Sequence, residues 1–345
     1  MAAFHIGTYA KDGGKGLVPV KLDQDGIVAG EPFSGAANAS FGVHSIRHEL
    51  TYLVDEQEEG AITVLRRADS GWQGAARVPS RGDAPCYLAL DAAEARLAVA
   101  NYASGNVALF DLGQDGIPRA AGEFQSRGSG PNTERQEGPH AHCVRFSPDD
   151  AALYVVDLGA DRVWRIALER SGMGEASVAW QAPPGMGPRH LLFHPRAPLA
   201  VLLSELSSEL ALLTVEEERL RPVAVLSTAP EGFPGENLGG HLAMNAAGDR
   251  VYVSNRGHNS IAVFALDADG GELTLRQHVE SGGEHPRHFV LFEDERLLIA
   301  AHEKDGRVEA FEILADGTLA PLRRGITVPG ACFVLPDPAG QTQAR

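Results

Sequence analysis

The strongest constraint on the fold is a unit of about 50 residues written seven times. Short apolar runs ending in a polar residue recur along the chain: Ile6-Gly7-Thr8, Leu53-Val54-Asp55, Val99-Ala100-Asn101, Val155-Val156-Asp157, Leu203-Ser204-Glu205, Val253-Ser254-Asn255 and Ala300-Ala301-His302. Aligned on the last residue of each, they are 47, 46, 56, 48, 50 and 47 residues apart. Each unit reads as about four short strands. In the third, Tyr87–Leu90, Leu97–Ala100 and Val107–Phe110 are apolar runs separated by polar turns, and a more variable segment follows. Short apolar runs bounded by Gly, Asp, Asn and Pro are strand and hairpin signals, and no long amphipathic helix interrupts them. The expectation is all-β: a single domain over 1–345, a seven-bladed β-propeller of four-stranded blades.

The two ends supply the closure. Thr8 ends a strand with no inner strand before it, and Val328–Leu335 is an inner-strand pattern with nothing after it. The C-terminal strand is therefore expected to join the N-terminal blade and remove the open edge. Residues 336–345 read as a frayed tail. The 56-residue spacing comes from a Gly/Ser/Asn-rich insertion over Gln125–Gly138, expected to be a surface loop at the channel mouth or a plain tolerated insertion.

Charge narrows the partners. Thirty Lys and Arg stand against 46 Asp and Glu, a net charge of −16, which disfavours nucleic acid and anionic membrane surfaces. An anionic substrate would need positive charge concentrated locally. No run approaches a membrane span, and the N-terminus reads as a first strand rather than a signal peptide, so cytoplasm is expected. Cys86, Cys143 and Cys332 each lie in an apolar run and read as buried thiols, not a disulfide framework.

Polar residues then mark a site. The first strand of a propeller blade lines the central channel, and the residues leading those strands are His44, Cys86, His140 and His142, Arg189 with His190, His241, and Arg287 with His288. The second-strand ends add Asp55, Asn101, Asp157, Glu205, Asn255-Arg256 and His302. Any one histidine there is more often packing than chemistry, but so many at equivalent positions make a constellation. Arg189 and Arg287 also fit salt bridges to Asp55, Asp157 or Glu205 that staple blade to blade. His140 and His142, two apart on a strand, share a face and could ligate a metal, yet no further ligands can be assigned, so no metal site is expected. There is no Gly-x-Ser-x-Gly, phosphate-binding Gly-rich loop or Cys-x-x-Cys.

Pro139-His140-Ala141-His142, Gly187-Pro188-Arg189-His190, Ser204-Glu205-Leu206 and Tyr252–Ile261, on seven units, resemble the lactonase family of seven-bladed propellers over essentially the whole chain. That family includes propeller-type bacterial 6-phosphogluconolactonases and fungal carboxy-muconate lactonising enzymes. The resemblance implies a cytoplasmic enzyme acting on a lactone ring without a required cofactor. It carries the site residues of the lactonising members onto His140, Glu205, Arg189 and Arg256, with Arg287 in addition and His142 as the alternative to His140. The chemistry suits these residues. Arginine forks bind phosphate or carboxylate, so Arg189, Arg256 and Arg287, with His190 and His241 beside them, are expected to hold a small anionic lactone. A neutral histidine is the better general base, and Glu205, whose pKa the arginines should lower, is expected to orient it or the water. Hydrolysis of 6-phosphogluconolactone is the leading expectation. The rivals are a related lactonase or muconate-type cycloisomerase, and a non-catalytic scaffold, against which the aromatic content of 6% counts mildly.

Overall fold

A computed structural model describes residues 2–24, 26–68 and 71–337. The tail expected over 336–345 falls, beyond Asp337, outside the described residues. The fold is the expected seven-bladed β-propeller, built from seven antiparallel sheets of four strands each. Blade one combines Ala2–Thr8, Leu17–Leu22 and Ile27–Ala29 with the C-terminal strand Ala331–Pro336, which pairs with Ala2–Thr8 as the sequence predicts. The other six run in chain order, from Gly42–Ser45 at the start of blade two to Leu319–Thr327 at the end of blade seven. Among the described residues the only helix is a single 3-10 turn, Ala10–Asp12.

Chain contacts group the residues into two compact units, 1–40 with 226–345, and 41–225. In the first unit, Phe4, Ile6, Ile299, Val308 and Val334 share one apolar cluster. In the second, clusters form around Val144, Val155, Leu202 and Leu213, and around Tyr52, Val54, Val99 and Phe110. The alternating apolar residues that signalled strands are those buried here, which is the main gain that offsets the chain entropy of ordering so many short strands.

Buried tyrosines tie blades to the next turn along. Tyr52 donates its hydroxyl to the Gly116 carbonyl at 2.7 Å, and Tyr252 does the same to Gly317 at 2.8 Å. Each buried hydroxyl is thereby satisfied rather than stranded. Cys86, Cys143 and Cys332 are buried thiols that form no disulfide among the described residues.

Candidate active site

Backbone register decides which residues occupy equivalent places. In blades three, four and seven, Pro85 faces Asn101, Ala141 faces Asp157 and Pro286 faces His302. In blade five, Pro188 faces Ser204, not Glu205. The strand end there is Ser204, and the spacings around it become 47 and 51 residues. Glu205 is the residue after the end, the place held by Tyr102, Arg256 and Glu303 elsewhere. In this blade the strand end lies one residue earlier than the apolar pattern predicts.

The strand-end residues themselves are structural. Asn101 donates to the Ser80 carbonyl, Asn255 to the Thr228 carbonyl, and His302 to the Arg307 carbonyl, while Asp55 pairs with Arg77 at 2.9 Å. Asp157 accepts the backbone N–H groups of His140 (2.9 Å) and Ala160 (3.0 Å) and bonds the Ser126 hydroxyl. Burial dominates its titration and pushes the carboxyl above its usual range despite these donors.

Next to each such pair the first strand carries an extra residue, and a β-bulge re-aims the side chain it adds. The bulged residues are Cys86, His142, Arg189 and Arg287, with Cys332 in blade one. Simple alternation along the strand thus fails at His142. His140 and His142 turn to different partners instead of presenting a common ligand face. Among the described residues no group of three or more His, Cys, Asp and Glu side chains is placed to hold a metal ion.

In the unit 41–225, the centre is Glu205, 2% exposed. Arg189, itself 3% exposed, brings Nε to 2.9 Å from its Oε2, and Arg135 Nη2 lies 2.6 Å from Oε1. His142 Nε2 stands 3.8 Å from Oε2. One carboxylate thus lies between two guanidinium groups. Arg189 also donates from Nη1 to His190 Nε2 at 3.0 Å; a guanidinium only donates, so that ring nitrogen is an acceptor and the imidazole is neutral. The His190 ring meets His142 edge-on at 5.5 Å.

His140 is differently placed. Its ring stacks on Tyr102 at 4.5 Å, Nδ1 lies 3.0 Å from the Tyr102 carbonyl, and Nε2 lies 3.1 Å from Glu137 Oε1. Both nitrogens face acceptors, an arrangement that suits a donor better than a base. Glu137 is held below the usual carboxylate range by its own backbone N–H and by His140.

Arg135 and Tyr102 are site residues that the sequence pattern does not mark. Arg135 donates to the Tyr102 hydroxyl at 3.2 Å as well as to Glu205. Burial works against its charge, but the Glu205 carboxylate and these hydrogen bonds outweigh it and raise its pKa. Burial raises the pKa of the Tyr102 hydroxyl, against the influence of Arg135.

The 125–138 insertion that carries Arg135 has buried anchors. Gln136 is wholly buried and donates to the Leu158 carbonyl (2.9 Å) and to Asp161 (2.8 Å). Asp161 also accepts the N–H groups of Gly185 and Gly187, each at 2.7 Å, fixing the turn that delivers Arg189. Gly187 has φ +62°, and a Cβ on Gly159 would lie 1.9 Å from the Gly138 carbonyl oxygen, so both turns require glycine.

In the other unit a parallel arrangement forms around Glu303. Arg287 Nη1 lies 3.1 Å from its Oε2, His285 Nδ1 3.4 Å from the same oxygen, and Lys11 Nζ 3.9 Å from Oε1. The Arg287 guanidinium also sits 5.1 Å from the centre of the Tyr9 ring. Burial would raise the Glu303 pKa, but Arg287, His285 and Arg256 overcome it and hold the carboxyl well below its usual range. Arg256 donates from Nε and Nη2 to the Gly239 carbonyl, at 3.2 and 2.7 Å. His241 packs on His288, ring centres 3.9 Å apart. His44, by contrast, bonds Thr51 and joins neither cluster through that contact. Arg189 and Arg287 thus each pair with a glutamate of their own blade. Glu303 stands 16 residues after Arg287, as Glu205 does after Arg189, so matching Pro188-Arg189-His190 with Pro286-Arg287-His288 makes it legible, whereas matching strand ends sets His302 against Glu205.

The family model described as "Lactonase, 7-bladed beta-propeller" matches residues 3–336. The chain belongs to the lactonase family. One lactonase relative, the 6-phosphogluconolactonase of Bacillus subtilis (strain 168), is 31% identical over 334 residues, 94% of this chain and 95% of that protein. A solved structure from Lactobacillus plantarum superposes with a TM-score of 0.89 at 29% identity, covering 97% of this chain and 98% of its own. The periplasmic gluconolactonase PpgL of Pseudomonas aeruginosa does so with a TM-score of 0.89 at 26% identity, covering 96% and 98%. Family membership makes this lactonase an enzyme, a carboxylic ester hydrolase, rather than a scaffold. No helix among the described residues is long and apolar enough to cross a membrane.

Proposed function

We propose that this lactonase hydrolyses 6-phosphogluconolactone to 6-phosphogluconate, with His142 as general base. The observation that carries the reading is the buried Glu205 carboxylate held between Arg189 and Arg135 and facing His142 Nε2 at 3.8 Å. His142 accepts a proton from water at Nδ1, the nitrogen turned away from Glu205 and 4.0 Å from Cys86 Sγ, as the water oxygen attacks the lactone carbonyl. The ring C–O bond then breaks, and the proton passes to the leaving alkoxide. Glu205 orients the histidine and stabilises its charged form, and the guanidinium groups favour the developing oxyanion. The sequence favoured His140 as base, but its two nitrogens are committed to acceptors, so it is assigned the holding of Tyr102 and Glu137. Arg256, Arg287, His190 and His241 are proposed as anion-binding or supporting residues. No cofactor enters this chemistry. Three buried thiols outside any disulfide support a reducing, cytoplasmic setting.

The test is acid release from freshly generated 6-phosphogluconolactone, corrected for spontaneous hydrolysis, beside glucono-δ-lactone. His142→Ala is expected to lower kcat by about 100-fold or more, and His140→Ala by less than about 10-fold. Near-normal turnover by both His142→Ala and Glu205→Gln would overturn the mechanism. Formation of a muconate-type lactone in place of hydrolysis would select the cycloisomerase.

A further inference from the structure

Two arginines share Glu205, but their remaining capacity differs. Arg189 is almost wholly buried, with Nε beside Glu205 and Nη1 given to His190. Arg135 retains 35% of its side-chain exposure and uses only Nη2, which serves both Glu205 and the Tyr102 hydroxyl. Its Nε and Nη1 carry three further N–H donors, and these have no partner among the described residues. A guanidinium is a planar fork made for oxyanions and is always charged. Here its position is fixed at both ends. The side chain is clamped by a carboxylate and a phenol, and the backbone N–H bonds the Asn132 carbonyl and side-chain oxygens at 3.2 Å. The adjacent Gln136 is locked into the core of blade four. Preorganisation of this kind lowers the cost of binding an anion.

We propose that Arg135 is the residue that anchors the substrate's phosphate, so that the blade-four insertion sets the preference for phosphorylated over neutral lactones. The choice of lactone rests on the hydrolase reading above; the anion site itself does not. In a protein of net charge −16, a reachable cation with unused donors beside the reacting groups is where an anionic substrate gains most over a neutral one. Glu137, two residues on, turns its carboxylate to His140 at 3.1 Å, and the Arg135 charge is the last of the influences on it.

The experiment compares the full-length wild type with Arg135→Ala and Arg135→Lys. The ratio of kcat/KM for 6-phosphogluconolactone over that for glucono-δ-lactone is expected to fall about 10- to 100-fold in Arg135→Ala, mainly through KM, and less in Arg135→Lys. A purely structural role through Glu205 predicts instead a fall of equal size in kcat/KM for both lactones, leaving the ratio unchanged, and that result overturns the proposal. Calorimetric titration with 6-phosphogluconate and with inorganic phosphate decides the anion site without turnover. Arg135→Ala should weaken both by a similar factor, with Arg135→Lys, which keeps charge and bulk, guarding against a folding defect. Absent or unaltered phosphate binding overturns the anchor. A wild type that opens neither lactone yet binds phosphate through Arg135 overturns the hydrolase reading alone.

Discussion

Glu205 and Glu303 occupy the same place in their blades and meet an arginine from the same bulge, yet their company differs. Glu205 is drawn toward a histidine and a second arginine, Glu303 toward His285, Lys11 and the charge of Arg256. For Glu303 the consequence is a pH-dependent contribution to stability. Its carboxyl titrates well below the ordinary 4.5, so between that value and its folded pKa the unfolded chain binds the proton and the native one does not. The stabilisation is complete above about pH 4.5 and disappears as pH falls. Glu303→Gln should therefore cost about 2 kcal/mol at pH 7 in denaturant titrations, with the difference from wild type shrinking toward pH 3. A gap that stays constant over that range would show that the ionised carboxylate is not its source.

At the scale of the element, the strand ends are scaffolding for the bulges. Asp157 shows the division, because it fixes the backbone of His140 while the side chains that follow do the facing. Its charge is disfavoured by burial, so Asp157→Asn, which keeps an oxygen for the His140 and Ala160 N–H groups, should be neutral or slightly stabilising at pH 7. Asp157→Ala leaves those donors stranded and should cost about 3 kcal/mol. Thermal melts of the two variants separate the cases, and equal losses would contradict the assignment. The same elements mark what was legible in advance. Strand type, blade number and the closing strand follow from apolar runs and turn residues that are local in sequence. So does the company of Arg189 and Glu205, which lie at the two ends of one hairpin. The bulge at His142 was not legible, because a one-residue insertion in a strand leaves the apolar pattern almost unchanged while reversing where a side chain points. Nor was Arg135, whose partner is 70 residues away and whose segment carries no periodic pattern.

At the scale of the whole molecule, the contacts divide unevenly along the chain. Residues 41–225 form one contiguous unit, whereas the other joins 1–40 to 226–345. The strand Ala2–Thr8 is buried apart from Ala3 and has as its partner Ala331–Pro336. Ending the chain at Val328 should thus leave a soluble remnant of the contiguous unit at best, with limited proteolysis cutting first within 2–40 and 226–328. Uniform resistance throughout would refute this. The pairing also imposes an order of events at the ribosome. Thr8 and Ala331 are 323 residues apart, so at about 5–20 residues per second the first strand waits roughly 15–65 s for its partner. During that interval it offers an unpaired apolar edge, while the contiguous unit can already complete its own contacts. A nascent chain of this protein is a natural client for whatever shields strand edges until synthesis ends, and slowing translation late in the message should deplete soluble product more than slowing it early.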